Sequence, residues 1–277
     1  MNYTEFKIDI QANFETEPLV FKDILISDLA DLGFESFIED EGLLKAYIET
    51  PSFENKTIDF PYLEGKTFEL LEVENQNWNA EWESNYPSIE IDGRCIIRAE
   101  FHEKPAHIEY DVLIQPKMSF GTGHHQTTHM MTHFLLDEHV ENQRVLDMGC
   151  GTGVLAILAK MKNASYVEAI DIDEWAYENS IENCALNQTE IVCKQGDATL
   201  LGDQEFDVIF ANINRNILLN DMKSYAKVLA PKGRIFFSGF YTSDIEQIEN
   251  EASKYNLKRI DQKEKEHWTA LKFEKMN

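Results

Sequence analysis

Positive charge is scarce in this chain: 25 Lys and Arg stand against 50 Asp and Glu, a net of −25. A surface of that sign repels phosphate backbones, which argues against nucleic acid as the direct ligand. Long apolar runs are also missing. None reaches the ~18 residues that would span a bilayer, so no membrane role is expected. Residues Met1–Ile10 mix charged and apolar side chains and lack the form of a signal peptide. The four cysteines, Cys95, Cys150, Cys184 and Cys193, contain no Cys-x-x-Cys pairing. They read as buried thiols in a reducing cytoplasm. No internal repeat and no low-complexity segment is found.

What is present fits a globular protein with one large and one smaller domain: 277 residues, 43% of them hydrophobic. The charge is unevenly placed. Residues 1–92 hold 22 acidic and 5 basic side chains, a net of −17, whereas residues 93–277 hold 28 and 20, a net of −8. A basic protein suits the N-terminal part as a partner. Plain solubility explains the same charge and stays open beside it.

The most informative stretch is Val145–Gly153, Val-Leu-Asp-Met-Gly-Cys-Gly-Thr-Gly. A short apolar strand, Arg144–Leu146, runs into a turn with Gly149, Gly151 and Gly153, and the apolar helix Val154–Lys160 follows. Glycine lets a backbone turn tightly and lie flat against a ligand. A second strand, Tyr166–Ile170, ends in Asp171, 22 residues after Gly149. That is close to the ~20-residue spacing at which an acid grips the ribose of a nucleotide-like cofactor. The third glycine comes too early for the dinucleotide pattern. Asp147, just before the turn, would repel phosphates and suits a cation better. S-adenosyl-L-methionine, with an ammonium and a sulfonium and no phosphate, fits those terms.

Around this motif the expected fold class is α/β: a Rossmann-like domain with a mostly parallel sheet, preceded by a small ferredoxin-like α+β domain. The boundaries read as 1–73, a linker at 74–92, and 93–277. In the first part, Tyr3–Ile10 alternates as a half-buried strand, and Pro18–Leu32 is a helix with Phe21, Leu25, Leu29 and Leu32 on one face. A hairpin turns at Glu41-Gly42, and Phe68–Val73 makes a fourth strand. Residues 51–64, with Pro51 and Pro61, show no helical period, so the second helix is expected shortened or replaced by a loop. Trp78 and Trp82 place a short helix in the linker, with aromatics for packing on a neighbour. After Val145, strands and helices alternate to the end: helix Glu174–Leu186 behind Asp173, strands at 190–194 and 207–211, helix Ile217–Leu229 closed by Pro231-Lys232-Gly233, a strand at 234–238, a helix at 244–255, and strands at 258–263 and 268–273.

Further motifs surround the turn. Phe120-Gly-Thr-Gly-His-His-Gln-Thr-Thr128 lies just upstream, and Thr127 and Thr128 begin a helix there. Their hydroxyls suit a cofactor carboxylate. His125, His129 and His133 share a helix face, but without an intervening Glu or a nearby cysteine they read as exposed or capping residues, and no metal is expected. Asp207-Val-Ile-Phe-Ala-Asn-Ile-Asn214 is a buried strand ending in two asparagines. Asn212 is read as catalytic, its carbonyl accepting from a substrate N–H, while Asn214 or Asn216 caps the next helix. Asp197 has two readings of equal standing: it meets an adenine amino group, or it caps a turn.

Together the elements Phe120–Thr128, Asp147–Gly153, Asp171-Ile-Asp173 and Phe210-Ala-Asn-Ile213 resemble those of the methyltransferases that modify large-subunit ribosomal protein eleven. The resemblance covers nearly the whole chain. It departs at Gln126, where the family often has proline, and at Asn214, where an apolar residue is usual. It implies a cytoplasmic enzyme, taken as a monomer, that moves methyl groups from S-adenosylmethionine to lysine ε-amines and the N-terminal α-amine of that ribosomal protein. It also implies that the small domain grips the substrate, and that Thr128, Gly149, Asp171 and Asn212 contact the cofactor. Gly151 and Asp197 complete the expected cofactor set. The rival readings are a nucleic-acid amino-methyltransferase and a non-catalytic binding module of the same fold. The charge and the missing Asn-Pro-Pro-Tyr element oppose the first; the intact glycine turn with Asp171 and Asn212 opposes the second.

Overall fold

The computed structural model describes residues 2–14, 18–40, 42–73, 86–117 and 119–277. The chain divides into two compact units, Met1–Asn85 and Tyr86–Asn277. The helix expected around Trp78 and Trp82 lies outside the described residues.

The first unit starts with β1 (Tyr3–Asp9), whose even-numbered side chains Thr4, Phe6 and Ile8 are buried and whose odd ones are not. That period of two is what the sequence showed. Asp9 caps the short α1 (Ile10–Asn13), its Oδ1 accepting from Ala12 N at 2.8 Å. Helix α2 (Pro18–Asp31) buries Leu25 and Leu29 on the core face. Gly33, at φ +95°, ends it by donating to the Ala30 carbonyl. Strands β2 (Ser36–Asp40) and β3 (Leu43–Glu49) form the expected hairpin, α3 (Thr50–Phe53) follows, and β4 (Phe68–Val73) returns. The sheet order is β2-β3-β1-β4 with every pair antiparallel. This is the βαββαβ order with its second helix cut to α3 and a 3₁₀ turn at Pro61–Leu63. Pro51 stands in the first turn of α3 and Pro61 opens the 3₁₀ turn, the positions a helix tolerates for proline, and Pro61 bars a continuous helix through 51–64.

The second unit begins ahead of the expected residue 93. Strand β5 (Ile89–Ile91), inside the stretch assigned to the linker, pairs antiparallel with β6 (Cys95–Arg98), and β6 pairs parallel with β7 (Tyr110–Leu113). Arg98 clamps this small sheet through two short bonds to Asp111, 2.6 and 2.8 Å, both side chains largely buried. Helix α4 (Gln126–Asp137) leads to the main sheet. Its elements are β8 (Arg144–Met148), α5 (Val154–Met161), β9 (Tyr166–Asp171), α6 (Glu174–Leu186), β10 (Val192–Gln195), β11 (Phe206–Asn212), α7 (Arg215–Val228), β12 (Leu229–Tyr241), α8 (Ile245–Ser253), β13 (Leu257–Lys265) and β14 (Trp268–Lys275). The strand order is β10-β9-β8-β11-β12-β14-β13, parallel through β12 and antiparallel at β14 and β13. Helix α7 stops at Val228, and Pro231-Lys232-Gly233 falls within β12 instead of closing the helix as expected.

Two apolar layers sandwich the sheet. Met131, Leu135, Ile157 and Leu158 cover one side, and Leu218, Met222, Tyr225 and Ile248 the other. Each fully buried large side chain is worth roughly 1.5–3 kcal/mol. Strand β8 lies inside the sheet, with β9 on one side and β11 on the other. The chain direction reverses its outward march at β8. The carboxyl ends of these three strands therefore open on a crevice, the usual ligand position in such sheets.

Candidate active site

A cavity of about 490 Å³ lies at that crevice, within the range of small-molecule sites. Gly149, Gly151, Asp171, Asp197 and Asn212 line it, so five of the six expected site residues converge. The sixth, Thr128, does not. Thr127 lines the cavity instead, and Thr128 sits one position further round α4, buried, its Oγ1 without a partner among the described residues.

The glycine turn is held from two sides. Gly149 N and Cys150 N both donate to the Ile170 carbonyl of the neighbouring strand. On the other side, Thr152 N donates to the Phe120 carbonyl at 2.8 Å, and Thr152 Oγ1 donates to the Gly121 carbonyl at 2.8 Å. The upstream Phe120–Gly123 segment thus straps onto the turn. Close approach explains the glycines. At Gly151, φ +55°, a Cβ would stand 2.1 Å from the Phe120 carbonyl oxygen; at Gly149, φ +69°, 2.1 Å from Ile213 Cγ2.

Asp171 is part of the same construction. Its Oδ2 accepts from Gly151 N at 2.8 Å and its Oδ1 from Asp173 N at 3.0 Å. A carboxylate offers about four acceptor positions, so each oxygen keeps capacity toward the cavity. Asp173 caps α6, accepting from Trp175 N at 2.9 Å. Asp197 takes the capping reading, and it lies on the cavity wall as well. It caps a short turn, its Oδ1 accepting from Thr199 N at 2.9 Å and Thr199 Oγ1 at 2.6 Å. Those bonds hold its carboxyl below the ordinary range.

Asp147 corrects an expectation. It does not line the cavity. It is buried under the turn, where its Oδ2 accepts from Ala156 N at 3.1 Å in the first turn of α5. Burial pushes its carboxyl up to about 7. Its role is to tie strand β8 to helix α5, and it contributes no exposed charge to a ligand.

His125 and His133 go to structural places. His125 caps α4, its Nδ1 meeting Thr127 Oγ1 at 2.8 Å and accepting from Thr127 N at 3.3 Å. Burial lowers its pKa, which favours the neutral ring that can accept this bond. His133 pairs with Asp92 and Asp137, at 3.0 and 3.3 Å. Among the described residues no group of three His, Cys, Asp or Glu is placed to hold a metal ion.

Asn212, the last residue of β11, is the most telling group. Its Oδ1 is buried without a hydrogen-bond partner among the described residues, while Asn212 lines the cavity. A buried orphan acceptor costs roughly 1–3 kcal/mol, and a ligand N–H at this point relieves that cost. Asn214 takes the capping role, accepting from Ile217 N at 3.2 Å. Trp268 is a site residue the sequence did not show: with Phe120 and His125 it lines the cavity, and Tyr241 packs on it from outside the lining. Phe120, His125, Trp268 and Tyr241 form a chain of rings 5.1, 4.6 and 4.2 Å apart, centroid to centroid. Trp268 comes from β14, and no local pattern marks it as a site residue. Gly239 was also missed. It bulges β12 at φ +95°, and a Cβ there would stand 2.4 Å from the Ile213 carbonyl oxygen.

The comparisons agree with this geometry. A family model described as ribosomal protein L11 methyltransferase matches residues 22–276. A protein of that name from Bacteroides fragilis is 46% identical over 282 residues, covering 99% of both chains. Another from Bacteroides thetaiotaomicron is 46% identical over 284 residues, again 99% of both. Among solved structures, the ribosomal protein L11 methylase of Lactobacillus delbrueckii subsp. bulgaricus is similar with a TM-score of 0.65 and 26% identity, over 69% of this chain and all of that one. The chain belongs to the ribosomal protein L11 methyltransferase family.

Proposed function

We propose that this protein is a cytoplasmic, monomeric S-adenosylmethionine-dependent N-methyltransferase whose substrate is ribosomal protein L11, modified at lysine ε-amines and the N-terminal α-amine. The observation that carries the reading is the unpartnered, buried Oδ1 of Asn212, a residue that lines the glycine-turn cavity. Family membership supplies the substrate. The residues present fit the cofactor. Gly149 and Gly151 allow its close approach, Asp171 offers its remaining acceptor positions to ribose hydroxyls, and Asp197 offers its free oxygen to an adenine amino group.

S-adenosylmethionine supplies an electrophilic methyl group on a sulfonium. The protein must present a neutral amine to it. Lysine is protonated at neutral pH, its reference pKa being ~10.4, so the site has to favour loss of a proton. The apolar and aromatic walls, Phe120, Ile213 and Trp268, desolvate an entering ammonium and lower its pKa. The proton leaves to water through the cavity mouth. Asn212 Oδ1 then accepts from a remaining amine N–H and turns the nitrogen lone pair inward. Beyond this the chain contributes alignment, which by itself is worth several kcal/mol of barrier. The first unit, with most of the excess negative charge, is assigned the grip on the basic ribosomal protein.

Transfer of radiolabelled methyl groups to purified L11, compared with RNA, followed by mass mapping of the amines, tests the proposal. Labelling of RNA alone refutes it in favour of the nucleic-acid reading, and labelling of neither refutes catalysis.

A further inference from the structure

Away from the active site, a second surface cavity of about 710 Å³ opens between α6 and β10. Cys184 and Cys193 both line it, and their sulfurs lie 3.9 Å apart. Cys184 is buried in α6 and Cys193 half-buried in β10. The connection between them is a tight turn in which Thr189 N donates to the Cys184 carbonyl at 3.0 Å and Thr189 Oγ1 at 3.2 Å. The methyl-transfer chemistry proposed above uses neither thiol.

We propose that Cys184 and Cys193 form an oxidation site, closing to a disulfide under mild peroxide, and that closure weakens the cofactor pocket. The geometry supplies proximity and access. A disulfide needs the sulfurs at about 2.05 Å, so they must approach by roughly 2 Å from an already near position. The short intervening segment keeps the entropic cost of closing the loop low. The pair is also chemically uneven. The hydrogen bond from Cys184 holds the Cys193 thiol down at about 7, and the same bond, with burial, raises Cys184. Cys193 is therefore the attacking thiolate.

The chemistry balances with hydrogen peroxide as oxidant. The Cys193 thiolate attacks one peroxide oxygen, the O–O bond breaks, and the leaving hydroxide takes up a proton to become water. The sulfenic acid formed on Cys193 is then attacked by the Cys184 sulfur. The S–S bond forms, the S–O bond breaks, and the oxygen leaves as a second water with the Cys184 proton.

The consequence follows from the neighbours of Cys184. Asn183 donates to the Thr152 carbonyl of the glycine turn at 2.9 Å and accepts from Gln115 N at 2.8 Å. Ser180, one helical turn earlier, packs against Gly153. From Cys193, strand β10 runs on to Gly196 and Asp197, which line the active-site cavity. Pulling α6 toward β10 displaces both supports of the pocket. This second half of the proposal rests on the cofactor reading; the disulfide itself does not.

The test uses the full-length protein treated with dilute hydrogen peroxide. Non-reducing peptide mapping is expected to show a Cys184–Cys193 linked peptide that disappears with dithiothreitol. It should be absent in Cys193→Ser and present in a Cys95→Ser control. Calorimetry is expected to show S-adenosylmethionine bound roughly three- to tenfold more weakly by the oxidised form, the scale of one weakened hydrogen bond, with recovery on reduction. No linked peptide, or sulfinic acid on Cys193 without a link, overturns the oxidation site. Equal affinity of the two forms overturns its coupling to the pocket. A reduced protein that binds no cofactor refutes the cofactor reading, and the linked peptide then decides the thiol site alone.

Discussion

Replacing Asn212 by alanine separates a working acceptor from a structural one. In the structure its Oδ1 accepts nothing from the described residues, so truncation removes no hydrogen bond at that atom and relieves a buried polar group. The relief, on the order of 1–3 kcal/mol, opposes the loss of packing by a small side chain, and the melting temperature is expected to move little. The rate should move far more. If the carbonyl orients the amine, its loss costs about 10- to 1000-fold, or about 1.4–4 kcal/mol of barrier, on the scale of single orienting donors in other enzymes. Initial rates of labelled methyl transfer to L11, normalised to folded protein, give the first quantity. Calorimetric titration with S-adenosylmethionine gives the second, and cofactor affinity should change less than turnover. A normal rate per folded molecule together with a clearly lowered melting temperature would falsify the catalytic assignment and make Asn212 a packing residue.

Asp171→Ala should weaken cofactor binding by at least ~10-fold, since bonds to a charged group are worth ~1.5–3 kcal/mol, and it also frees Gly151 N and Asp173 N; an unchanged dissociation constant removes Asp171 from the site. Gly151→Ala places a Cβ against the Phe120 carbonyl at positive φ, so the strap must lift and cofactor affinity should drop while far-UV circular dichroism stays normal; retained affinity would show that the strap is not part of the pocket. Asp147 has its carboxyl raised by burial to about 7, so the folded state prefers the protonated form and loses stability as pH rises from ~4 through 7, by at most ~4 kcal/mol. Asp147→Asn keeps an acceptor for Ala156 N and should flatten the melting-temperature profile over that window; a profile parallel to the wild type's contradicts the buried-acid account. A chain beginning at Tyr86 should bind S-adenosylmethionine but methylate L11 poorly, with less salt dependence, because the acidic first unit is gone; equal rates for the two chains would leave that unit's charge to solubility.

The sequence determined the parts of this protein that are local. Gly149, Gly151 and Gly153 specify a backbone path that few other residues tolerate. The 22-residue step to Asp171 equals one helix and one strand, so the spacing alone places the acid at the crevice. Strand β11 ending at Asn212 and helix α6 behind Asp173 were legible for the same reason: periodicity and caps act over a few residues. The shortened second helix of the first unit was legible in the missing helical period of residues 51–64 and in Pro61 within them.

Tertiary structure decided what depends on which way a side chain faces and on what comes to meet it. Thr127 and Thr128 are neighbours in sequence, but a helix turns about 100° per residue, and only packing against β14 settles that Thr127 reaches the cavity. Asp147 looked like a ligand charge because it precedes the turn; β8 is buried on both faces, and packing of the helix that follows the turn sets Ala156 N against the Asp147 carboxyl. Trp268, Phe120 and Gly239 come from distant segments, and no spacing rule joins them. Cys184 and Cys193 likewise showed no motif, since their pairing is between a helix and a strand set side by side by the sheet. Short-range conformational rules can be read along a chain, whereas contacts between segments far apart in it exist only once the hydrophobic core has brought those segments together.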